Sequence, residues 1–222
     1  MLANTPEVFS LRRLTSERRN HASFSTLIGW SGLSAALAGV LFVVWGYVDR
    51  KGAPWYLDVA VLVLEVVVPL LFLVGLAGAY AKLRTQASWL GVVGFVIGFA
   101  AAGWATVEGV VNAPTLYSQL GERSWPQESW PSALLGNPLT WLLVGLTIVG
   151  LAAVRKGVVR DWRFLLLTIA LFGWVYHLTD DTTGIVDVRS VHVVFGVLFS
   201  LSWMVLGYAL WSTSNMVGRA AQ

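Results

Sequence analysis

The chain has 222 residues, of which 56% are hydrophobic and only 12% charged. A water-soluble domain has no means of hiding that much apolar side chain, so most soluble folds are excluded. The net charge of +3 is carried by clustered cations, which directs attention to the headgroups of a lipid bilayer and away from nucleic acid. With no cysteine anywhere, disulfides, a thiolate nucleophile and cysteine metal sites are also excluded.

Residues 1–23 are polar and basic, with Arg12, Arg13, Arg18 and Arg19. Arg12-Arg13 has the form of a twin-arginine pair, but Leu14, Thr15, Ser16 and Glu17 follow it where an export signal needs an apolar core, so the segment reads as a solvated flank. A helix rises about 1.5 Å per residue, and crossing roughly 30 Å of hydrocarbon takes about 20 apolar residues. The first such run, 24–48, is too long for a signal-peptide core and is expected to be a retained transmembrane helix.

The second run, 57–81, contains Glu65 and Pro69. An ionised carboxylate inside hydrocarbon is costly unless paired or protonated, and Pro69 has no N–H to give the Glu65 carbonyl four residues earlier. A buried acid beside a kink is a candidate for a proton or transport path, or else a protonated acid hydrogen-bonded to a neighbouring helix.

The third run, 87–111, carries Gly91, Gly94, Gly98, Ala102 and Ala105 at spacings of three and four. Small residues let helix backbones approach closely in a membrane, so this ridge is expected to face the bundle. Continued by three residues it reaches Glu108, while Gly109 lies off it and is expected to tolerate a side chain. Lesser ridges are Gly32-Ala36-Gly39 and Gly196-Ser200.

The longest connection, 112–133, contains Ser-Trp-Pro twice, at Trp125-Pro126 and Trp130-Pro131. Proline forbids a regular helix there, and the segment is expected to anchor in the outer headgroups, with a lid over the bundle or a docking surface for another subunit as the sharper alternative. Further apolar runs cover 134–154, 164–178 and 191–212, the fifth being the shortest, and 213–222 forms a tail. Most other tryptophans, among them Trp45, Trp55, Trp104, Trp174 and Trp211, are expected in interfacial belts.

The expected fold is thus all-α: one polytopic membrane domain, a bundle of six transmembrane helices spanning 24–212. Orientation follows from basic residues, which cytoplasmic flanks retain. With the N-terminus inside, that side holds Arg12, Arg13, Arg18, Arg19, Lys82, Arg84, Arg155, Lys156, Arg160, Arg163 and Arg219 out of 15, leaving Arg50, Lys51, Arg123 and Arg189 outside. Both termini are therefore placed in the cytoplasm and the chain in a prokaryotic plasma (inner) membrane. Arg50-Lys51-Gly52 before Trp55 is echoed by Arg155-Lys156-Gly157 before Trp162, but three shared residues are too few for an inverted repeat, and ordinary turn chemistry with an interfacial tryptophan explains them.

Chemistry, if the chain has any, is expected at the outer end, where topology gathers Glu108, His177, Asp180, Asp181, Asp187 and His192. His177 ends the fifth helix and His192 begins the sixth; with Asp180 and Asp181 they form a candidate divalent-metal site, and the two imidazoles alone a candidate haem pair. Gly29-Trp30-Ser31-Gly32 resembles the nucleophile motif of rhomboid proteases, but it opens the first helix at the face opposite the histidines, where serine and base cannot share a proton. Lysines sit at helix ends, unlike the mid-helix lysine of microbial rhodopsins. The expected function is a noncatalytic membrane protein, an accessory or structural subunit held to other subunits or to copies of itself. A small proton- or metal-coupled transporter using Glu65, Pro69 and Glu108 is the alternative, and a haem or metal protein the third reading.

Overall fold

A computed structural model describes residues 26–46, 55–84, 88–118, 136–155, 164–179 and 189–220, and all of its regular structure among these is helical. In chain order the helices are α1 (Thr26–Gly46), α2 (Trp55–Leu83), α3 (Trp89–Ser118), α4 (Pro138–Arg155), α5 (Phe164–Leu178) and α6 (Arg189–Ala220). Local sequence sets several ends. Ser88 caps α3, its Oγ accepting from the Gly91 N–H at 3.4 Å. Asn137 caps α4 by accepting from the Leu139 N–H at 2.8 Å, and Pro138, which has no N–H to lose, takes the first helical position. Thr179 closes α5 by donating its hydroxyl to the Val175 carbonyl at 2.7 Å.

Five helices are long and apolar enough to cross a bilayer, over Thr26–Gly46, Val63–Leu83, Trp89–Val111, Pro138–Arg155 and Ser190–Ser214. The fifth helix is the exception: its 15 residues reach only about 22 Å. Two helices outrun their apolar stretches, α3 continuing to Ser118 into the segment expected to be loop, and α6 to Ala220 through the expected tail. Hydropathy reports where hydrocarbon ends, whereas helical hydrogen bonding continues into the polar layer beyond it. The Trp125-Pro126 and Trp130-Pro131 repeat and the echoed Arg-Lys-Gly turns, save Trp55 and Arg155, lie outside the described residues.

The helices form a closed ring in which sequence neighbours are spatial neighbours, with α1 fitted between α2 and α6. Glycine sets the closest approaches. A Cβ built on Gly145 of α4 would stand 2.6 Å from the Gly94 carbonyl oxygen and 2.7 Å from the Gly98 nitrogen, so α3 and α4 meet backbone to backbone. Gly91, Gly94, Gly98 and Ala102 are buried and Ala105 half-buried. In α1, Gly32 and Gly39 lie against the backbone of Gly207 and Ser200 in α6, while Ser31 fills the space above Gly78 of α2. Two aromatic residues on α6 complete the interior: Trp203 packs on Phe72 at 4.5 Å between ring centroids, and Phe199 on Phe42 at 5.2 Å. Facing outward are apolar side chains such as Val92, Val96, Val107 and Val110 of α3, the surface a bilayer requires.

Gly109 corrects one expectation. A Cβ there would stand 2.8 Å from the carbonyl oxygen of Glu65, so Gly109 is itself part of the α2–α3 contact and tolerates no side chain without movement. The tryptophan belt is corrected in part. Trp104 and Trp211 are exposed, but Trp174 points into the α4–α5 seam, donating its indole N–H to Thr147 Oγ1 at 3.0 Å, and the indole nitrogen of Trp45 is buried beside Phe42.

Candidate functional site

Among the described residues, His177, His192, Glu65 and Glu108 at this end of the bundle occupy three separate helix seams. His177 lies on α5 and is 1% exposed; its Nε2 is joined by a 2.8 Å hydrogen bond to Thr140 Oγ1 on α4. One turn earlier Trp174 reaches Thr147, so the α4–α5 seam is held by two side-chain hydrogen bonds on either side of Leu143. Such bonds satisfy polar groups that lipid would leave unpaired. The hydroxyl of Thr147 donates in turn to the Leu143 carbonyl at 2.7 Å.

His192 belongs to the α5–α6 seam. Its Nδ1 donates to the Tyr176 carbonyl oxygen at 3.1 Å, which places a proton on that nitrogen, and its ring stacks on the Tyr176 ring at 4.2 Å. Tyr176 in turn meets Phe42 edge-on at 5.4 Å, so His192 caps an aromatic series that runs inward to Phe199, Phe72 and Trp203. The two imidazoles therefore share a depth but serve different partners. Asp180, Asp181 and Asp187 lie outside the described residues, and among the described ones no three His, Asp or Glu side chains come together as a metal cluster.

Glu65 and Glu108 make up the third group. Glu65 is the ninth residue of the apolar run 57–81 and Glu108 the fourth from the end of 87–111, so both lie toward the end of the bundle that also holds His177 and His192. Gly109 rests on the Glu65 carbonyl, which brings its neighbour Glu108 level with Glu65 across the same seam. Both carboxyl-bearing residues are half-buried and each takes part in a polar interaction. Pro69 lies inside α2, four residues on, and removes the intrahelical partner of that same carbonyl. Among the described site residues named from the sequence, Glu65, Pro69 and Glu108 are thus brought to one place.

At the opposite end, Ser31 of the protease-like motif is buried and donates its hydroxyl to the Ile28 carbonyl at 2.8 Å, a structural bond within its own helix. Sequence reasoning passed over three residues that the fold makes prominent. Trp203 is 0% exposed, and its indole N–H finds no acceptor among the described residues. Thr140 is the partner of His177. Lys82 donates to Thr213 Oγ1 at 2.6 Å, tying the ends of α2 and α6 together. Only the charge of Lys82 was visible beforehand, since threonine at a helix start and tryptophan in an apolar run have many uses.

These features define an integral membrane helical bundle. Comparison with protein-family models, with characterised proteins and with solved structures finds no match to this chain.

Proposed function

We propose that the chain is a noncatalytic integral membrane protein that crosses the bilayer six times, with both termini cytoplasmic, and serves as an accessory or structural subunit of a membrane complex. The observation that carries this reading is the filled interior: Phe42, Phe72, Phe199 and Trp203 interlock where a permeation path through the ring would run. His177 and His192 are committed to hydrogen bonds between helices, a use that fixes structure. The short α5 completes the sixth crossing because its neighbours thin or shield the bilayer beside it. Native purification in mild detergent, followed by mass spectrometry and optical absorption, tests the reading. A stoichiometric membrane partner or a defined homo-oligomer, without a chromophore, is expected; a protein that stays monomeric, or that carries a Soret band or a stoichiometric metal, overturns it.

The level placement of Glu65 and Glu108 beside the proline break favours a second reading, a small proton-coupled transporter. Under it, Glu65→Gln abolishes proton-driven uptake in proteoliposomes at unchanged protein yield; under the subunit reading the same change alters stability alone.

A further inference from the structure

We propose that the end of the bundle formed by the C-termini of α2 and α4 and the start of α3 binds anionic phospholipids, one in each of the two grooves beside α3. Tyr80 of α2 meets Phe95 of α3 at 5.2 Å between ring centroids, so four residues further along α2, Arg84 comes level with Gly91. On the other side Val149 of α4 adjoins Gly94, so six residues further along α4, Arg155 comes level with Ser88. Two exposed guanidinium residues thus flank the first turn of α3. Between them stands Trp89, 73% exposed, and below it the exposed Val92, Val93 and Val96 continue along the same helix.

Each part of this surface matches a part of a phospholipid. The valines present hydrocarbon to acyl chains, and an exposed indole at a helix end favours the depth of the ester and headgroup region. A guanidinium holds a phosphate through paired N–H donors. The two exposed guanidinium residues, Arg84 and Arg155, raise the attraction to negative headgroups over zwitterionic ones. A phospholipid is favoured over a free anion because the cations adjoin an apolar face that only an acyl chain would cover.

This inference rests on insertion in a bilayer and is independent of whether the bundle is a subunit or a transporter. Native mass spectrometry of the detergent-purified chain, titrated with phosphatidylglycerol or phosphatidylcholine, tests it. The expected result is two retained phosphatidylglycerol molecules in preference to phosphatidylcholine, reduced to one by Arg84→Gln or Arg155→Gln and to none by the double change, with Arg84→Lys intermediate. Raising the salt to about 1 M before transfer shortens the Debye length to roughly 3 Å and lowers retention by the unaltered chain, a check that needs no variant. Equal retention of the two lipids, retention unaffected by both substitutions, or displacement by inorganic phosphate at comparable concentration overturns the proposal.

Discussion

Gly109 of α3 rests on the carbonyl of Glu65 in α2, at the one place where Pro69 has taken away that carbonyl's helical partner. The proline break, the acid and the glycine contact are therefore one feature of the α2–α3 seam. Gly109→Ala puts a methyl carbon 2.8 Å from the Glu65 oxygen and must push the helices apart. The usual helix-propensity gain of Ala over Gly, about 1 kcal/mol, is outweighed by overpacking of about 1–3 kcal/mol, and more for Gly109→Leu. Thermal unfolding in detergent is expected to show a graded loss from Ala to Leu. An unchanged midpoint for Gly109→Leu would show that α2 and α3 do not meet there.

The α3–α4 crossing separates two kinds of glycine. At Gly145 an added Cβ collides with the Gly94 and Gly98 backbone, so Gly145→Ala is expected to destabilise by about 1–3 kcal/mol. At Gly98 the added carbon would meet Leu76 Cδ1 at 3.6 Å and Leu142 Cδ1 at 3.9 Å, ordinary contact, so Gly98→Ala is tolerated while Gly98→Leu overpacks two buried leucines. Gly46, with nothing near it, serves as the control. The idea fails if Gly145→Ala and Gly46→Ala melt alike.

The buried imidazole of His177 depends on Thr140. Thr140→Val keeps the shape and removes the hydroxyl bonded to Nε2 at 2.8 Å, with an expected cost of about 1–3 kcal/mol for a polar group deprived of its partner. In the double variant with His177→Leu the loss is expected to be smaller than the sum of the two single losses. Strict additivity in that cycle would mean the two side chains do not interact.

Because the chain has no cysteine, single introduced cysteines report topology against a clean background. Ser16→Cys and Ala221→Cys are expected to label only from the cytoplasm, and Ser129→Cys only from outside. Ala221 is preferred to Ser214 because the Ser214 hydroxyl packs against Gly29. External labelling of both termini reverses the orientation; opposite sides for the two termini mean that α5 does not cross.

The sequence by itself determined that the chain lives in a membrane, where its helices lie, which end is basic and which holds the acids and histidines. These follow from apolar run length and the positions of a few charges, quantities read locally, and residues 164–178 were delimited as α5 to the residue. Apart from the small-residue ridge of α3, it did not determine which face of each helix turns inward. In water an amphipathic period would show that face, but in lipid the outward residues are as apolar as the buried ones, and exposed Val96 and Val107 look no different in sequence from buried Val68 and Val149. Hence Gly109 was taken for a neutral position, Trp203 went unnoticed, and His177 and His192 were paired by depth when they belong to different seams. Those choices are made by side-chain rotation about each helix axis, and only the packing of all six helices around one another decides that rotation.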